Sequence, residues 1–407
     1  MKKEKKCDLC NNKLNEFLDL ASQPLANKYP KREEFKNEDF FPLKVLFCES
    51  CKNVQLGHKV SRERMFEKYF YLSSVNKGLV RYFEKLANEL KDSDFVIDIG
   101  SNDGILLRPL QSLGVDCLGI DPSDVAKAAN DEGLTTIVSF FDSNCVNKIN
   151  EQYEKPDTIV CSSTFTHLED PHDFIKNLKN LLREDGKFIV EVEYVGNFIK
   201  NIHFERFYLD RIFYYSLTSL KNLFGQYEME VIDVEEIEPH GGSLKVTIYN
   251  SSQKKQPTQR VLDRLKQEEK ELTVEKLNEF KKVVKENIDK FKNKLIEYKE
   301  KGLKVCGYGS PARVSTICNY GKIDKNLIKF TVDDSPLKCG KFTPGTHIPI
   351  DSKEELEEYD PDIIVMFAYE YFEDIKKKLN KSYKFLLPIP PKEIEKENEY
   401  ENYKRIL

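Results

Sequence analysis

Short apolar runs bounded by glycine and acidic residues recur through the middle and end of this chain, and helical periodicity fills the gaps between them. Phe95-Val-Ile-Asp-Ile-Gly100 reads as a buried strand, and Ile105-Leu-Leu-Arg-Pro-Leu110 opens a helical pattern after a Gly-containing turn. Asp116-Cys-Leu-Gly-Ile120, Asp157-Thr-Ile-Val-Cys161 and Gly186-Lys-Phe-Ile-Val-Glu191 read as further strands. Residues 250–301 change character. They are rich in Lys and Glu, with Leu277, Phe280, Val284, Ile288, Phe291, Leu295 and Tyr298 at three- and four-residue spacing. That spacing predicts one long amphipathic helix with a single apolar stripe and a solvated charged face. Strand signals then resume at Lys304-Val-Cys-Gly-Tyr-Gly309, Lys329-Phe-Thr-Val-Asp-Asp334 and Asp362-Ile-Ile-Val-Met-Phe367. No internal repeat appears. The pattern predicts an α/β protein in which two Rossmann-like domains, 76–250 and 302–407, are joined by a linking helix over 251–301, with a separate module over 1–75.

The 407 residues exceed one typical domain. Forty per cent are hydrophobic and 33% charged, and no apolar run approaches the roughly 18–20 residues of a membrane span. The segment MKKEKKCDLC has the positive charges of a signal peptide without the apolar stretch that follows them in one. A cytoplasmic protein is expected, with no membrane partner. The net charge of −5 is spread along the chain, which argues against a nucleic-acid partner. Nothing points to an oligomer, so a monomer is expected. Ten cysteines without a secretion signal point to reduced thiols.

Four of those cysteines form Cys7-x-x-Cys10 and Cys48-x-x-Cys51, with 37 residues between the pairs. Each pair puts two thiolates on one tight turn, and two such turns close a tetrahedral Zn²⁺ site. Four thiolates leave no open position, so the zinc is expected to be structural.

The strand at 95–100 runs into Ser101-Asn-Asp-Gly104, and Asp121 ends the next strand 21 residues past Gly100. Glycines let the backbone approach a ligand, and an acid at that place takes ribose hydroxyls. The dinucleotide fingerprint G-x-G-x-x-G is absent, since the run is GSNDG. An acid-bearing strand, a Gly-rich turn and a second-strand Asp make the pattern of class I methyltransferases, which bind S-adenosyl-L-methionine. Asp98, Gly100, Asn102, Gly104 and Asp121 are the expected cofactor contacts, with Ser162 at the fourth strand. Phe140 and Phe141 either stack on the adenine or pack in the core.

With these motifs in place, the chain resembles the three-domain sugar C-methyltransferases of deoxysugar biosynthesis, which act on nucleotide-linked 4-keto sugars. The likeness runs through both cysteine pairs, Gln23-Pro-Leu-Ala-Asn27, Tyr71-Leu-Ser-Ser-Val75, Ile99-Gly-Ser-Asn-Asp-Gly104 and Gly119-Ile-Asp-Pro-Ser123. It continues through Phe165-Thr-His-Leu168, Tyr214-Tyr-Ser-Leu-Thr-Ser-Leu220, His240-Gly-Gly-Ser-Leu244, Gly307-Tyr-Gly-Ser-Pro-Ala312 and Thr343-Pro-Gly-Thr-His-Ile-Pro349. The resemblance implies an N-terminal zinc module, a central cofactor domain and a C-terminal Rossmann-like domain that helps hold a sugar nucleotide without binding NAD. It places Tyr71 and His167 in the active site, and His240, Ser243, Tyr308, Ser310 and Arg313 near the substrate.

The family's chemistry is proton abstraction beside a ketone followed by attack of the enolate on the methyl sulfonium. Its catalytic groups lie in a Tyr-His-Glu-His string, and the second histidine is the base. The matching residues here are Tyr208-Leu209-Asp210-Arg211. Both histidines are gone, and Arg211 cannot be deprotonated near neutral pH. Either His167 takes over as base, or a hydroxyl or amine replaces carbon as acceptor, or the protein binds sugar and cofactor without methyl transfer. An NAD(P)-dependent enzyme is a further alternative. Arg211 either contacts an anionic group of the substrate or pairs with Asp210 or Glu205. The expectation is a sugar methyltransferase whose acceptor differs from the family's usual ketone.

Overall fold

Three sheets organise the chain, and one stretch of backbone visits two of them. The structure, a computed structural model, describes residues 5–61, 64, 73–239 and 242–394. Tyr71 and His240 lie outside the described residues. The first sheet is antiparallel: β1 (Asn15–Pro24), β2 (Phe40–Phe47) and β3 (Val54–Leu56). The register of β1 on β2 slips between Asp19 and Ser22, where Ala21 takes φ +61°. Leu18 and Leu20, two residues apart on one strand face, are both buried.

The second sheet holds β4 (Phe95–Ile99), β5 (Asp116–Ile120), β6 (Thr136–Ile137), β7 (Thr158–Ser162) and β8 (Lys187–Glu193) in parallel. Beyond β8 the chain leaves it: β9 (Phe213–Tyr214) pairs with β3 and completes the first sheet. The chain then returns as the antiparallel pair β10 (Met229–Ile237) and β11 (Ser243–Asn250), giving the order β10-β11-β8-β7-β4-β5-β6. Order reverses beside β4, so its C-terminal end faces the crevice where ligands of open α/β sheets sit. The third sheet runs β14-β13-β12-β15-β16-β17. Its strands are β12 (Val305–Tyr308), β13 (Thr331–Val332), β14 (Ile350–Asp351), β15 (Ile363–Met366), β16 (Lys384–Pro388) and the antiparallel β17 (Pro391–Ile394). Every strand read from the apolar runs is present. β8 continues two residues past the run that announces it, through Glu193.

The single helix expected over 250–301 is two, Gln259–Glu271 and Val274–Glu300. The break falls at Leu272-Thr273, where the Thr273 hydroxyl accepts from the Lys276 amide (3.3 Å) and starts a new helix. Every residue of the predicted stripe is buried, packed with Phe17 of the first sheet, Phe207 of the stretch between β8 and β9, and Ile317 and Val365 of the third sheet's layer. The stripe is covered within the chain, which is why its width is modest.

The shorter helix also supplies a cap at a distance. Glu268 is fully buried, and its carboxylate accepts from the amides of Leu217 (2.7 Å) and Thr218 (2.8 Å) and the Thr218 hydroxyl (2.6 Å). These are orphan donors at the start of helix Leu217–Gly225, where the helix dipole favours negative charge. Glu268→Ala leaves them unmet in the interior and should cost about 1–3 kcal/mol. Urea unfolding should show the lowered midpoint, with Glu268→Gln losing less because one acceptor remains.

Candidate active site and zinc centre

The two cysteine turns fold alike. Each C-x-x-C is followed by a residue in the left-handed region, Asn11 (φ +59°) and Lys52 (φ +57°), and a backbone bond closes each turn: Cys7 N to Asn12 O (2.7 Å) and Cys48 N to Asn53 O (2.8 Å). The four Sγ atoms lie within 4.8 Å of one another, with Cys7–Cys51 at 3.7 Å and Cys10–Cys48 at 3.5 Å. A tetrahedron with Zn–S arms of ~2.3 Å has edges of about 3.8 Å, so the sulfurs stand at zinc spacing. Side-chain amides of Asn12 and Asn53 point at Cys10 and Cys7 sulfurs (3.4 and 3.5 Å). Hydrogen bonds from Cys51 and Cys7 hold the Cys48 thiol low, and Cys48 in turn pushes Cys7 and Cys51 up. Four thiolates ionise together only around a cation. The donor set therefore fits zinc, with every position filled by protein.

At the end of β4, Gly100 takes φ +82°, and a Cβ there would lie 1.9 Å from Thr164 Oγ1, so only glycine fits. Gly104 takes φ +78° against Leu134. The turn between them is tied on both sides. Asp121, nearly buried, accepts from the Asn102 amide (3.0 Å) and from the amide (2.8 Å) and hydroxyl (2.5 Å) of Ser123. The side chains of Asn102 and Asp103 accept from the amides of Ser73 (3.0 Å) and Ser74 (3.1 Å). Asp98 is buried, and burial, then Glu191, then Asp121 push its carboxyl up to about 8. All three causes act in one direction. Glu191, on β8 opposite Ser162, is itself buried and bonded to the Tyr82 hydroxyl. Among the described residues no cation acts on Asp98, and a cluster of buried acids suits a ligand that brings its own positive charge together with a ribose diol. Phe141 packs at 4.9 Å from Phe174 against the core, whereas Phe140 stands half-buried outside it.

The altered catalytic string lies on the excursion between β8 and β9. Leu209 is buried in the core, so one lost histidine position has become packing. Tyr208, Asp210, Arg211 and His167 come together. His167 Nδ1 meets the Asp210 carbonyl oxygen at 2.5 Å, Asn27 donates to Asp210 Oδ2 (2.6 Å), and the Arg211 guanidinium lies 4.9 Å from the Tyr208 ring centre. Arg211 pairs with neither Asp210 nor Glu205. Its partner is Glu193, 1% exposed, at the end of β8. Burial and the Arg211 charge lower the pKa of His167, burial raises that of Asp210, and burial carries the Tyr208 phenol up to about 12.

The C-terminal domain closes over this place. Tyr29 donates to the Ser310 carbonyl (2.6 Å), and Asp210, Tyr208 and Asp333 all act on its phenol. Arg313 binds Glu370 (3.0 Å) and stacks at 4.4 Å on Tyr369, and Arg206 shares the same carboxylate. Tyr369 donates to Glu205 (2.6 Å), which is fully buried beside His203 (3.1 Å). Burial of Glu205 is outweighed by His203 and Arg206, which hold it down at about 2. Tyr308 faces away, donating to Asp334 (2.9 Å), and Ser243 donates to the Pro239 carbonyl (2.9 Å). Glu191, Glu193, Tyr29, His203, Arg206 and Glu370 are additions that the sequence reading does not single out, and Glu205 joins them in place of the Arg211 partnership considered for it. Only Glu193 carries a usable signal, as an acid in step with Glu191 on one strand face.

Three family models tile the chain: a zinc binding domain over residues 7–66, a methyltransferase domain over 65–234 and a C-methyltransferase C-terminal domain over 238–390. The chain is 29% identical to the C-methyltransferase NovU of Streptomyces niveus over 401 residues, 94% of this chain and 95% of that protein. This chain is similar along its length to the zinc-containing C-methyltransferases. S-adenosylmethionine and zinc are the cofactors of this C-methyltransferase, and its central domain has the methyltransferase fold. Part of the chain also resembles the ubiquinone biosynthesis O-methyltransferase of Actinobacillus pleuropneumoniae serotype 7, 35% identical over 123 residues, 28% of this chain and 50% of that one. Among solved structures, the magnesium protoporphyrin IX methyltransferase of Synechocystis PCC 6803 with bound S-adenosylmethionine has a TM-score of 0.31 at 15% identity, covering 43% of this chain and 78% of that one. No described helix is long and apolar enough to cross a membrane.

Metal analysis of protein purified without added zinc should find one zinc per chain, and Cys48→Ala should lose both metal and solubility. A metal-free preparation that is stable and active contradicts the structural role. Asp121→Ala should weaken S-adenosylmethionine binding by about 1–3 kcal/mol in calorimetry, as charged hydrogen-bond partners go unmet.

Proposed function

We propose that this C-methyltransferase transfers a methyl group from S-adenosylmethionine to a carbon beside the ketone of a nucleotide-linked sugar, with His167 as the base. The observation that carries the reading is the bond from His167 to the Asp210 carbonyl. A carbonyl oxygen only accepts, so Nδ1 holds the hydrogen and Nε2 holds the lone pair. Burial keeps the ring neutral. A neutral imidazole of set tautomer is what proton abstraction from a carbon acid requires. The full-length likeness to a C-methyltransferase supports carbon, rather than oxygen or nitrogen, as the acceptor.

The chain's own residues divide the work. Asp98 and Glu191 would hold the cationic end of the cofactor, and Asp121 its ribose. Asn27 orients Asp210, whose backbone orients His167. Tyr29 and Ser310 join the first and third sheets over the pocket. When bound, S-adenosylmethionine supplies an electrophilic methyl. The nucleotide sugar is expected between the catalytic string and the C-terminal domain, where Arg313 and Ser310 stand.

Labelled methyl donor offered with dTDP-, UDP- and GDP-linked keto sugars should yield a labelled C-methyl product with one of them. His167→Asn should lower turnover about 10²–10⁴-fold with cofactor affinity nearly unchanged. The acid limb of kcat/KM should fall below the usual histidine value of about 6.5, because burial and Arg211 lower this imidazole. A purely O- or N-methylated product would overturn the carbon assignment.

A second consequence concerns Asp98. Its carboxyl, raised to about 8, is protonated in the free protein at neutral pH. Pairing with the cofactor's cation requires the proton to leave. Cofactor affinity should therefore rise with pH between about 6 and 7.5, with proton release visible in calorimetry across buffers of different ionisation enthalpy. Asp98→Asn should flatten that slope.

A further inference from the structure

Arg211 occupies the position where the resembling family carries its basic histidine, and its surroundings indicate a different task. One guanidinium nitrogen is committed to the buried carboxylate of Glu193. The cation lies 4.9 Å from the centre of the Tyr208 ring. Its Nε–H is shielded from solvent and has no hydrogen-bond partner among the described residues. A charged donor left unmet in a protein interior is costly, and such exceptions concentrate where a ligand completes the bonding. His167 bonds the carbonyl of Asp210, the residue just before Arg211, so the two groups are neighbours in the fold.

We infer that Arg211 is the oxyanion donor of the reaction, presenting its Nε–H to the ketone oxygen of the sugar while His167 removes the proton from the neighbouring carbon. This rests on the keto-sugar reading above. The C–H electron pair becomes the carbon–carbon double bond of the enolate as the carbonyl π pair moves onto oxygen, and the proton goes to His167 Nε2 and then to water. The enolate carbon next forms a bond to the sulfonium methyl, the carbon–sulfur bond breaks with its electrons left on sulfur, and the ketone is restored. A guanidinium suits this place better than an imidazole because it keeps its charge at every working pH. Glu193 makes the pair neutral overall. Arg211 therefore gains most when the oxygen becomes negative, which is the condition for lowering a barrier instead of merely holding substrate. The histidine-to-arginine change moves the base to His167 and keeps the carbon chemistry.

The test is solvent deuterium exchange into the carbon beside the ketone of a dTDP-linked 4-keto-6-deoxyhexose, with S-adenosylhomocysteine in the cofactor site so that no methyl transfer intervenes. Wild type should exchange. Glu193→Gln with Arg211→Gln removes both charges together and avoids stranding a buried carboxylate. It should exchange about 10²–10³-fold more slowly at saturating sugar, the usual loss for one oxyanion donor. Probe affinity should stay within a few-fold, and calorimetric binding of S-adenosylhomocysteine should confirm the fold. Arg211→Lys, which keeps a charge without the Nε–H, should show a loss of the same order. Exchange by the double variant close to the wild-type rate, or a loss confined to sugar affinity, overturns the inference alone. A wild type that neither exchanges nor methylates the probe overturns the keto-sugar reading and this inference with it.

Discussion

Everything in this molecule turns on one length of backbone, residues 203–214, which must satisfy three layers at once. Its end is claimed by the zinc sheet, where Tyr214 pairs with Val54 and the Leu56 amide donates to Ile212 O (2.9 Å). The Ile212 amide in turn donates to Thr166 O (2.9 Å), tying the stretch to the loop after β7. Its beginning, through Glu205 and Arg206, is held by Tyr369 and Glu370 of the third sheet's domain. Between these anchors Tyr208, Asp210 and Arg211 have little freedom. The zinc centre thus acts at a distance: it folds the sheet that fixes the far end of this stretch. Closed coordination by four cysteines serves that purpose, since it leaves the metal no chemistry to compete with.

Buried charge imposes the second constraint. An ion taken from water must be neutralised by a partner close by. The region around residues 203–214 contains Arg211 with Glu193, and Arg206 and Arg313 with Glu370, each pair drawn from different elements. Such pairs add little net stability over a well-packed apolar contact, but losing one partner strands the other. Their value is therefore positional. Arg206 with Glu370 helps fix how the C-terminal domain sits on the string, together with the bonds of Tyr369 to Glu205 and of Thr316 to the Phe207 carbonyl.

How much of this was legible in the sequence follows from where each signal is local. The strands of all three layers announce themselves because parallel strands buried on both faces need unbroken apolar runs. The zinc site and the Gly100–Asp121 turn are legible because backbone geometry there demands particular residues: cysteines on tight turns, glycine at φ +82°, an acid at a strand end. The helix break at Leu272-Thr273 was missed because periodicity continues across it, and only a threonine cap marks it. Arg211's partner was misjudged for a deeper reason. Asp210 and Glu205 are its neighbours along the chain, whereas Glu193 lies across the fold on β8. Long-range charge pairing leaves no spacing to read.

The two Rossmann-like domains show why topology alone does not assign a ligand. Each has an acid at the end of its second strand, Asp121 after β5 and Asp333 after β13. Asp121 is met by two amides and a hydroxyl, and its neighbourhood holds the further carboxyls of Asp98 and Glu191. Burial and mutual repulsion hold the Asp98 carboxyl up, and a cationic ligand would favour its ionised form. Asp333 is met by the amides of Ser310 (2.7 Å) and Ser335 (3.0 Å) and by the ammonium of Lys338 (3.1 Å). The same Lys338 donates to the Ser310 carbonyl (3.0 Å) and lies 5.2 Å from the Tyr29 ring centre, and Tyr29 also binds that carbonyl. The acid that would greet a ribose in the C-terminal domain is thus already neutralised, and a tyrosine from the zinc module covers the turn. What the two domains share is a backbone. What separates a cofactor domain from a supporting one is whether its strand-end acid has been given an internal cation.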